Sequence, residues 1–153
     1  MNYILMSIRA RYAEMILSGR KTLEIRKTAP RGNRQNCEYT VLLYESKRDG
    51  GRGMIVGSFL CRSIRQVEKM DLLEVERRSC LCREDLVAYA ERPQRVSVKS
   101  QEKGWDIFAW SVEKPVRFEK RIPLQIVGVS CPPQSWRTLK ESQAMKIGGV
   151  PNE

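Results

Sequence analysis

Gly19, Lys21, Glu24 and Arg26 form the pattern Gly-x-Lys-x-x-Glu-x-Arg, whose side chains suit the binding of a nucleobase and its phosphate. On a strand, Glu24 and Arg26 share one face with Thr22, and the Cα atoms of Glu24 and Arg26 are about 7 Å apart. Lys21 lies at the corner before that strand. A carboxylate accepts hydrogen bonds from a base amino group, and cationic groups hold phosphate oxygens. The alternative is an exposed Glu24 to Arg26 ion pair with Lys21 free in solvent.

The composition excludes several classes of site. The chain has no His, so Ser-His-Asp and Cys-His nucleophile systems and His-ligated zinc are ruled out. Its five Cys include no Cys-x-x-Cys pair, and we expect reduced thiols rather than disulfides or a metal site. Neither a Gly-x-Gly-x-x-Gly pattern nor a Walker loop is present. The sequence therefore predicts no metal and no cofactor.

Positive charge is concentrated near the amino terminus. Lys and Arg number 28 against 18 Asp and Glu, a net charge of +10, and residues 1 to 36 contribute +6 of it. Arg9, Arg31 and Arg34 flank the Gly-x-Lys-x-x-Glu-x-Arg pattern. This asymmetry favours a polyanionic partner such as RNA; a solvated basic surface without a partner is the alternative.

The chain shows no feature of an exported or membrane protein. The first residues, Met-Asn-Tyr-Ile-Leu-Met-Ser-Ile-Arg, lack a basic segment, and their apolar run is too short for a signal peptide or a membrane span. We therefore expect a cytoplasmic protein that does not associate with membranes. The sequence does not predict its oligomeric state.

Hydrophobic periodicity predicts an α+β domain. The apolar residues of 9–18 have helical spacing, and Gly19 follows them as a C-cap residue. Residues 83–90 are predicted to form a second helix, with acidic residues in its first turn and apolar residues after them. Alternating or apolar runs predict strands, and Gly57 indicates a bulge or bend within one of them. We therefore predict a small mixed β-barrel of five to six strands with two or three short helices. The predicted domain covers residues 1–137, and residues 138–153 are predicted to form a flexible tail. The predicted strands are residues 3–8, 22–27, 38–45, 54–64, 107–112 and 124–130, and the connection 115–123 is a further candidate for extended chain.

Three Trp residues are candidates for stacking on a base. Trp105 follows a polar segment and is the best candidate for exposure. Trp110 alternates within a predicted strand and is expected in the core. Trp136 follows two prolines and is expected to close one end of the barrel.

The segment Leu-Met-Ser-Ile-Arg-Ala-Arg-Tyr-Ala-Glu-Met-Ile-Leu-Ser-Gly-Arg-Lys-Thr-Leu-Glu-Ile-Arg-Lys, residues 5–27, resembles the opening of an ASCH domain, a family within the PUA-like superfamily. The resemblance extends over about residues 3–137, including Met-Ile-Val-Gly-Ser-Phe at 54–59 and Pro-Pro-Gln-Ser-Trp at 132–136. It implies a PUA-like barrel whose groove beside the Gly-x-Lys-x-x-Glu-x-Arg pattern binds RNA or a nucleotide.

The same resemblance leaves catalysis open. One branch of the superfamily hydrolyses the acetyl amide of N4-acetylcytidine with a Lys, a Thr and a Glu. Lys21 matches the Lys, and Glu74 or Glu76 stands for the acid, but Glu24 occupies the Thr position. A carboxylate in place of a hydroxyl changes the charge and the nucleophilicity at that position. Thr22, one strand step away, is a candidate to replace the missing hydroxyl.

A second branch implied by the resemblance contains ribonucleases, in which Lys21 with Tyr44 or Tyr39 would serve RNA cleavage. The favoured interpretation is a binding protein for RNA, a nucleotide or a nucleoside. The alternative is a small amidohydrolase or ribonuclease with Lys21 as its base or nucleophile, and an interaction module for another protein is a third class.

Overall fold

The computed structural model describes residues 2–32, 36–92 and 107–148, which form eight strands and four α-helices. Three short 3-10 helices cover Arg48–Gly50, Lys69–Asp71 and Leu124–Val127. The strands and α-helices are, in chain order, β1 (Asn2–Ile8), α1 (Ala10–Leu17), β2 (Leu23–Arg26), β3 (Tyr39–Glu45), β4 (Met54–Cys61), β5 (Ile64–Gln66), α2 (Leu72–Ser79), α3 (Arg83–Glu91), β6 (Phe108–Ser111), β7 (Glu113–Ile122), β8 (Trp136–Leu139) and α4 (Glu141–Ala144).

The strands form two separate sheets. The larger has the order β7-β4-β3-β1-β8, in which β1 and β3 are parallel and the other neighbours antiparallel. The smaller sheet, β2-β6-β5, is antiparallel. A barrel requires continuous hydrogen bonding around the ring of strands. Here β2 pairs with β6 alone in the described parts of the chain, so the sheets do not close. The α+β class is confirmed, whereas the predicted barrel of five to six strands is wrong.

The larger sheet is buried on both faces. Along β1, Ile4 and Met6 join one hydrophobic cluster with Trp110, whereas Tyr3 and Leu5 join another on the opposite face. This division follows the period-2 alternation of a strand. A third cluster packs α2 and α3 against the smaller sheet. Because α2 and α3 cover that sheet, the strand β2 is buried along its whole length.

Local patterns predicted the first helix and its end correctly. The helix expected over 9–18 is α1, and Gly19 follows it with φ +82°, a conformation that favours glycine. The helix expected over 83–90 is α3. The bulge expected at Gly57 is also present, because the register between β3 and β4 shifts after Leu43, which pairs with Gly57, while Tyr44 pairs with Ile55.

The last predicted strand is absent from the structure, whereas the connection before it is a strand. Residues 124–130, expected as a strand, contain the 3-10 helix Leu124–Val127, and Gly128 ends it with φ +69°. Leu124 and Val127 are three residues apart, so a 3-10 turn points both toward the same hydrophobic cluster. The connection at 115–123, a further candidate for extended chain, is indeed extended and forms most of the long edge strand β7.

Residues 138–148 pack onto the larger sheet, in contrast to the flexible tail expected over 138–153. In β8, Leu139 pairs with Tyr3 of β1. Ala144 and Ile147 are 0% and 3% exposed and belong to the same cluster as Leu139. The described segment 138–148 therefore contributes a sheet edge and core side chains. None of the described helices has the length and apolar character needed to cross a membrane.

Candidate nucleic-acid interface

A cleft of about 1300 Å³ opens between the two sheets, and we call it the basic cleft. Its walls come from the β1 to α1 junction, β2, the loop after β3, α3 and the loop before β8. Seven basic side chains line it against two acidic ones, which favours an anionic ligand. The basic residues are Arg9, Arg11, Lys21, Arg26, Lys47, Arg48 and Arg92, and the acidic ones are Glu24 and Asp85.

The turn from α1 into β2 places Lys21 at the cleft. Gly19 donates its amide hydrogen to the carbonyl of Ile16, and the Lys21 amide donates to the carbonyl of Met15, so the chain reverses tightly after α1. The Thr22 amide then donates to the Arg78 carbonyl in α2, which fixes the start of β2. Lys21 consequently turns inward at this corner.

Lys21, Glu24 and Arg26 form one charged group, here called the buried cluster. The Glu24 carboxylate lies between the two cations: Oε1 accepts a hydrogen bond from Nε of Arg26 at 2.9 Å, and Oε2 lies 3.4 Å from Nζ of Lys21. The three residues are 2%, 6% and 9% exposed, in sequence order. The alternative of an exposed ion pair with Lys21 in solvent is therefore wrong.

The two cations of the buried cluster also bind backbone carbonyls from distant segments. Nζ of Lys21 donates to the carbonyl of Ser79 at 2.5 Å, at the end of α2. Arg26 donates through Nη2 to the carbonyl of Ser7 at 2.8 Å and through Nη1 to Ser135 at 3.3 Å. The cluster thus ties β2 to β1, to α2 and to the segment before β8. Of these elements, β1, β2 and the segment before β8 are walls of the basic cleft.

One oxygen of the buried cluster has an incomplete set of partners. Oε2 of Glu24 is within ion-pair distance of Lys21 but forms no hydrogen bond within the described parts of the chain, and it is inaccessible to water. Tyr12 covers this corner, with its ring centroid 5.3 Å from Nζ of Lys21 and 4.6 Å from the Arg11 guanidinium carbon. A ligand would reach Oε2 only if a covering side chain moved.

The exposed cations of the cleft lie on its rim. Arg9 and Arg11 come from the start of α1, Lys47 and Arg48 from the loop after β3, and Arg92 from the end of α3. Tyr89 of α3 also lines the cleft, and burial raises the pKa of its hydroxyl. The sequence analysis named Arg9 as a binding residue but none of the other four rim cations. For Lys47 and Arg48 the sequence did contain a sign, because this pair of cations stands in a glycine-rich loop.

Among the predicted site residues, Lys21, Glu24, Arg26 and Arg9 line the basic cleft, whereas Gly19, Thr22, Arg31 and Glu74 do not. Thr22 instead accepts a hydrogen bond from Nε of Arg78 at 3.2 Å. Glu74 pairs with Arg78 at 3.0 Å and Arg65 at 3.3 Å, and the Arg78 hydrogen bond lowers the pKa of its carboxyl. Arg34 and Trp105 lie outside the described residues.

The other two aromatic candidates pack against each other, Trp110 in the core and Trp136 partly buried beside it. Trp110 is 0% exposed, as expected for a core residue. Trp136 packs edge to face against it, with ring centroids 5.5 Å apart, and donates Nε1 to Oγ1 of Thr28. Aromatic rings that line the basic cleft come from Tyr12, Tyr44 and Tyr89. Of the two tyrosines considered for RNA cleavage, Tyr44 therefore lines the cleft and Tyr39 does not.

The sequence matches the profile of the ASCH domain over residues 6–122, which is most of the chain. The chain belongs to the ASCH domain family. The matched region includes the buried cluster, most of the cleft and both sheets apart from β8 and the first four residues of β1. The family resemblance inferred from residues 5–27 is therefore confirmed. No curated protein sequence matches the chain.

Solved ASCH structures have the same fold. The crystal structure of ASCH from Zymomonas mobilis has a TM-score of 0.72 at 18% identity, with 99% of this chain and 96% of that chain covered. A tyrosine-to-phenylalanine mutant of the same Zymomonas mobilis protein has a TM-score of 0.75 at 17% identity, covering 98% and 99%. A serine-to-alanine mutant of it has a TM-score of 0.72 at 19% identity, covering 94% and 92%. At these identities the likeness concerns the α+β fold alone.

Proposed function

We propose that this ASCH domain chain is a cytoplasmic protein that binds RNA or a nucleotide in the basic cleft. The observation that carries the proposal is the charge of the cleft lining, seven basic side chains against two acidic ones. Phosphates dominate nucleic-acid affinity because cationic side chains displace condensed counterions. A surface with this excess of cations, at a cleft rather than on a flat face, suits a phosphate-bearing ligand.

The size of the cleft favours a short strand over a single small molecule. Pockets for drug-sized ligands enclose roughly 300 to 1,000 Å³. The basic cleft has about 1300 Å³ and is open along the rim, so a strand would enter and leave it. Tyr12 and Tyr89 provide aromatic surface at this cleft for an unpaired base.

The buried cluster has a positioning role in this proposal. Lys21 and Arg26 already donate hydrogen bonds to backbone carbonyls and pair with Glu24. The rim cations therefore provide most of the contacts to phosphate. The cluster holds β1, β2, α2 and the segment before β8 at fixed distances. A ligand would then find the cleft already formed, and this reduces the ordering cost of binding.

A hydrolase remains the second candidate because Lys21 lines the cleft beside a carboxylate. Its acid would be Glu24 and not Glu74, since Glu74 lies outside the cleft. The substrate would be a modified nucleoside of the N4-acetylcytidine type, or RNA. Turnover of either compound distinguishes this candidate from a binding module.

The proposal is tested by fluorescence anisotropy with a labelled single-stranded RNA at several salt concentrations. We expect log K to fall linearly with log salt, with about 0.7 added to the slope for each phosphate neutralised. Arg92→Glu changes the cleft rim and should weaken binding severalfold. Lys120→Glu, on the exposed face of β7 outside the cleft, is the control with the same charge change. A flat salt dependence, or equal losses in the two variants, would contradict the proposal.

A further inference from the structure

One buried oxygen at the inner end of the basic cleft lacks a hydrogen-bond partner. Oε2 of Glu24 lies 3.4 Å from Nζ of Lys21, but it accepts no hydrogen bond from any residue that the structure describes. A carboxylate oxygen has two acceptor sites, and buried polar atoms are almost always satisfied by protein, water or a ligand. The Lys21 ammonium balances the charge of Glu24 and leaves the acceptor sites of Oε2 unused.

The two cations beside Glu24 are held in place by the backbone. Nε of Arg26 donates to the other carboxylate oxygen, Oε1, and Nη2 of Arg26 donates to the carbonyl of Ser7. Nζ of Lys21 donates to the carbonyl of Ser79. Neither cation directs a hydrogen bond at Oε2. The carboxylate is therefore fixed in position with one oxygen able to accept further donors.

The charge pattern of the basic cleft determines which part of a nucleotide suits this oxygen. A carboxylate oxygen repels phosphate and accepts hydrogen bonds from N–H groups. The exposed cations lie on the rim of the cleft, whereas Glu24 is only 6% exposed. A nucleotide would thus keep its phosphates at the rim and direct the donor edge of its base inward. The rim cations are Arg9, Arg11, Lys47, Arg48 and Arg92.

Tyr12 lies over the corner where a base would approach Oε2. Its ring lines the cleft, and the ring centroid is 5.3 Å from Nζ of Lys21. The Tyr12 hydroxyl accepts a hydrogen bond from Nη2 of the exposed Arg11 at 2.6 Å, the only one found for it among the described residues. An exposed bond of this kind exchanges readily for bonds to water. Rotation of the half-buried Tyr12 side chain would open this corner and offer the ring for stacking.

We infer that Oε2 of Glu24 accepts a hydrogen bond from the exocyclic amino group of an unpaired base, so that the basic cleft selects amino-bearing bases such as cytosine. This inference rests on the proposed function and deepens it, because it names the class of base that is bound. Glutamate accepts from the cytosine amino group in established protein–nucleic acid contacts, and a charged acceptor strengthens the bond. Uracil has a carbonyl oxygen in place of that amino group.

The experiment compares short RNA strands of equal length in fluorescence anisotropy with the full wild-type chain. The strands consist of cytidine, 5-methylcytidine, N4,N4-dimethylcytidine or uridine. Because N4,N4-dimethylcytidine has no amino hydrogen, its strand should bind about tenfold more weakly than the cytidine strand. The uridine strand should also bind more weakly. The 5-methylcytidine strand adds bulk beside the amino group but keeps its hydrogens, so it should bind like cytidine.

Two variants assign the preference to Glu24. Glu24→Gln keeps the shape of the side chain but replaces a charged acceptor with a neutral one, so the preference for cytidine over N4,N4-dimethylcytidine should fall to about threefold or less. Asp85→Asn removes the same charge from an exposed residue of the cleft lining. It should strengthen the binding of both strands alike and keep the tenfold preference. An unchanged preference in Glu24→Gln would overturn the inference.

The carboxyl ¹³C NMR signal of Glu24 provides a readout that needs no variant. In the wild type this signal should shift on saturation with the cytidine strand, and it should shift less with the N4,N4-dimethylcytidine strand. A signal that ignores both strands would overturn the inference. It would indicate that Oε2 finds its donor within the protein. Trp110 is then the candidate, because it pairs with Glu24 across β2 and β6 and its Nε1 also lacks a partner in the described chain.

The outcomes separate this inference from the proposed function. If the wild type binds all the strands with equal affinity, the role of Glu24 in base selection is wrong and RNA binding stands. Equal weakening by the 5-methyl and the N4,N4-dimethyl groups would indicate a limit on bulk and would also overturn the inference. If no strand shows salt-dependent binding, the proposed function fails and base selection fails with it.

Discussion

Arg26 donates its Nε hydrogen to Oε1 of Glu24 at 2.9 Å, and both residues are more than nine-tenths buried on the short strand β2. The remaining guanidinium donors of Arg26 bind the carbonyl of Ser7 and both oxygens of Ser135. A pair that would have little effect on stability at the surface here joins three segments of the chain. Its contribution is structural as well as electrostatic.

Removing the Arg26 guanidinium should destabilise the protein strongly. Arg26→Met leaves a buried Glu24 carboxylate with one partner fewer and takes the guanidinium donors away from the carbonyls of Ser7 and Ser135. Breaking a buried pair in this way costs about 3 kcal/mol or more. Urea denaturation measures the loss of unfolding free energy. Arg117→Met is the matched control, because its pair with Glu14 is exposed and such pairs contribute about 0.5 kcal/mol. Equal losses would contradict the structural role of Arg26.

The paired substitution Lys21→Met/Glu24→Gln should separate a binding module from an enzyme. The two charges are removed together and side-chain volume is retained. Arg26 loses its carboxylate partner but keeps the carbonyls of Ser7 and Ser135, and the new amide oxygen at position 24 can still accept from its Nε, so the protein should remain folded by circular dichroism at a reduced free energy of unfolding. If the chain is a binding module, RNA affinity should change only severalfold, because the rim cations are intact.

If the chain is a hydrolase, the same variant should lose all turnover of N4-acetylcytidine or RNA. Chromatography of the products measures this turnover. Absence of product from the wild type, together with intact RNA binding, would exclude the hydrolase for these two substrates.

Stability should fall at high pH because of Cys61. Burial raises the pKa of this thiol from an ordinary value near 9 to about 12. Between these values the unfolded chain loses the proton and the folded protein keeps it, so the free energy of unfolding falls as pH rises, by up to about 1.4 kcal/mol per pH unit. The contribution is fully present below pH 9.

Comparison with Cys61→Ala isolates this contribution from other groups that titrate at high pH. Denaturation curves between pH 8 and 11 should show a shallower decline for Cys61→Ala than for the wild type. Cys131→Ala, which removes an exposed thiol, should follow the wild type. Parallel curves for all three proteins would contradict the assignment.

Truncation tests whether the domain ends at residue 137. A chain ending there lacks Leu139, Ala144 and Ile147 from the hydrophobic cluster and half of β8. Since a buried Leu or Ile contributes roughly 1.5 to 3 kcal/mol, the loss should be about 3 kcal/mol or more in urea denaturation. A chain ending at residue 148 is the control. If both truncations behave alike, residues 138–148 are the dispensable tail expected from sequence.

The sequence by itself determined the local features of the site. Helical spacing, Gly19 and the alternation after it place α1, the turn and β2 in succession, because these patterns depend on residues only a few positions apart. The same local spacing brings Glu24 and Arg26 onto one face. The family resemblance and the excess of positive charge near the amino terminus were also recognisable from the sequence without a structure.

Only the tertiary structure decided what surrounds that face. Burial of the cluster depends on α2 and on the segment around Ser135, which are far from β2 in sequence, and no local pattern encodes their approach. The same is true of Lys47, Arg48 and Arg92, which reach the cleft through long-range packing of separate elements. The separation of the two sheets is also a tertiary property. A barrel closes only if every strand edge finds a partner, and no single strand's sequence shows that β2 pairs with β6 in a separate sheet.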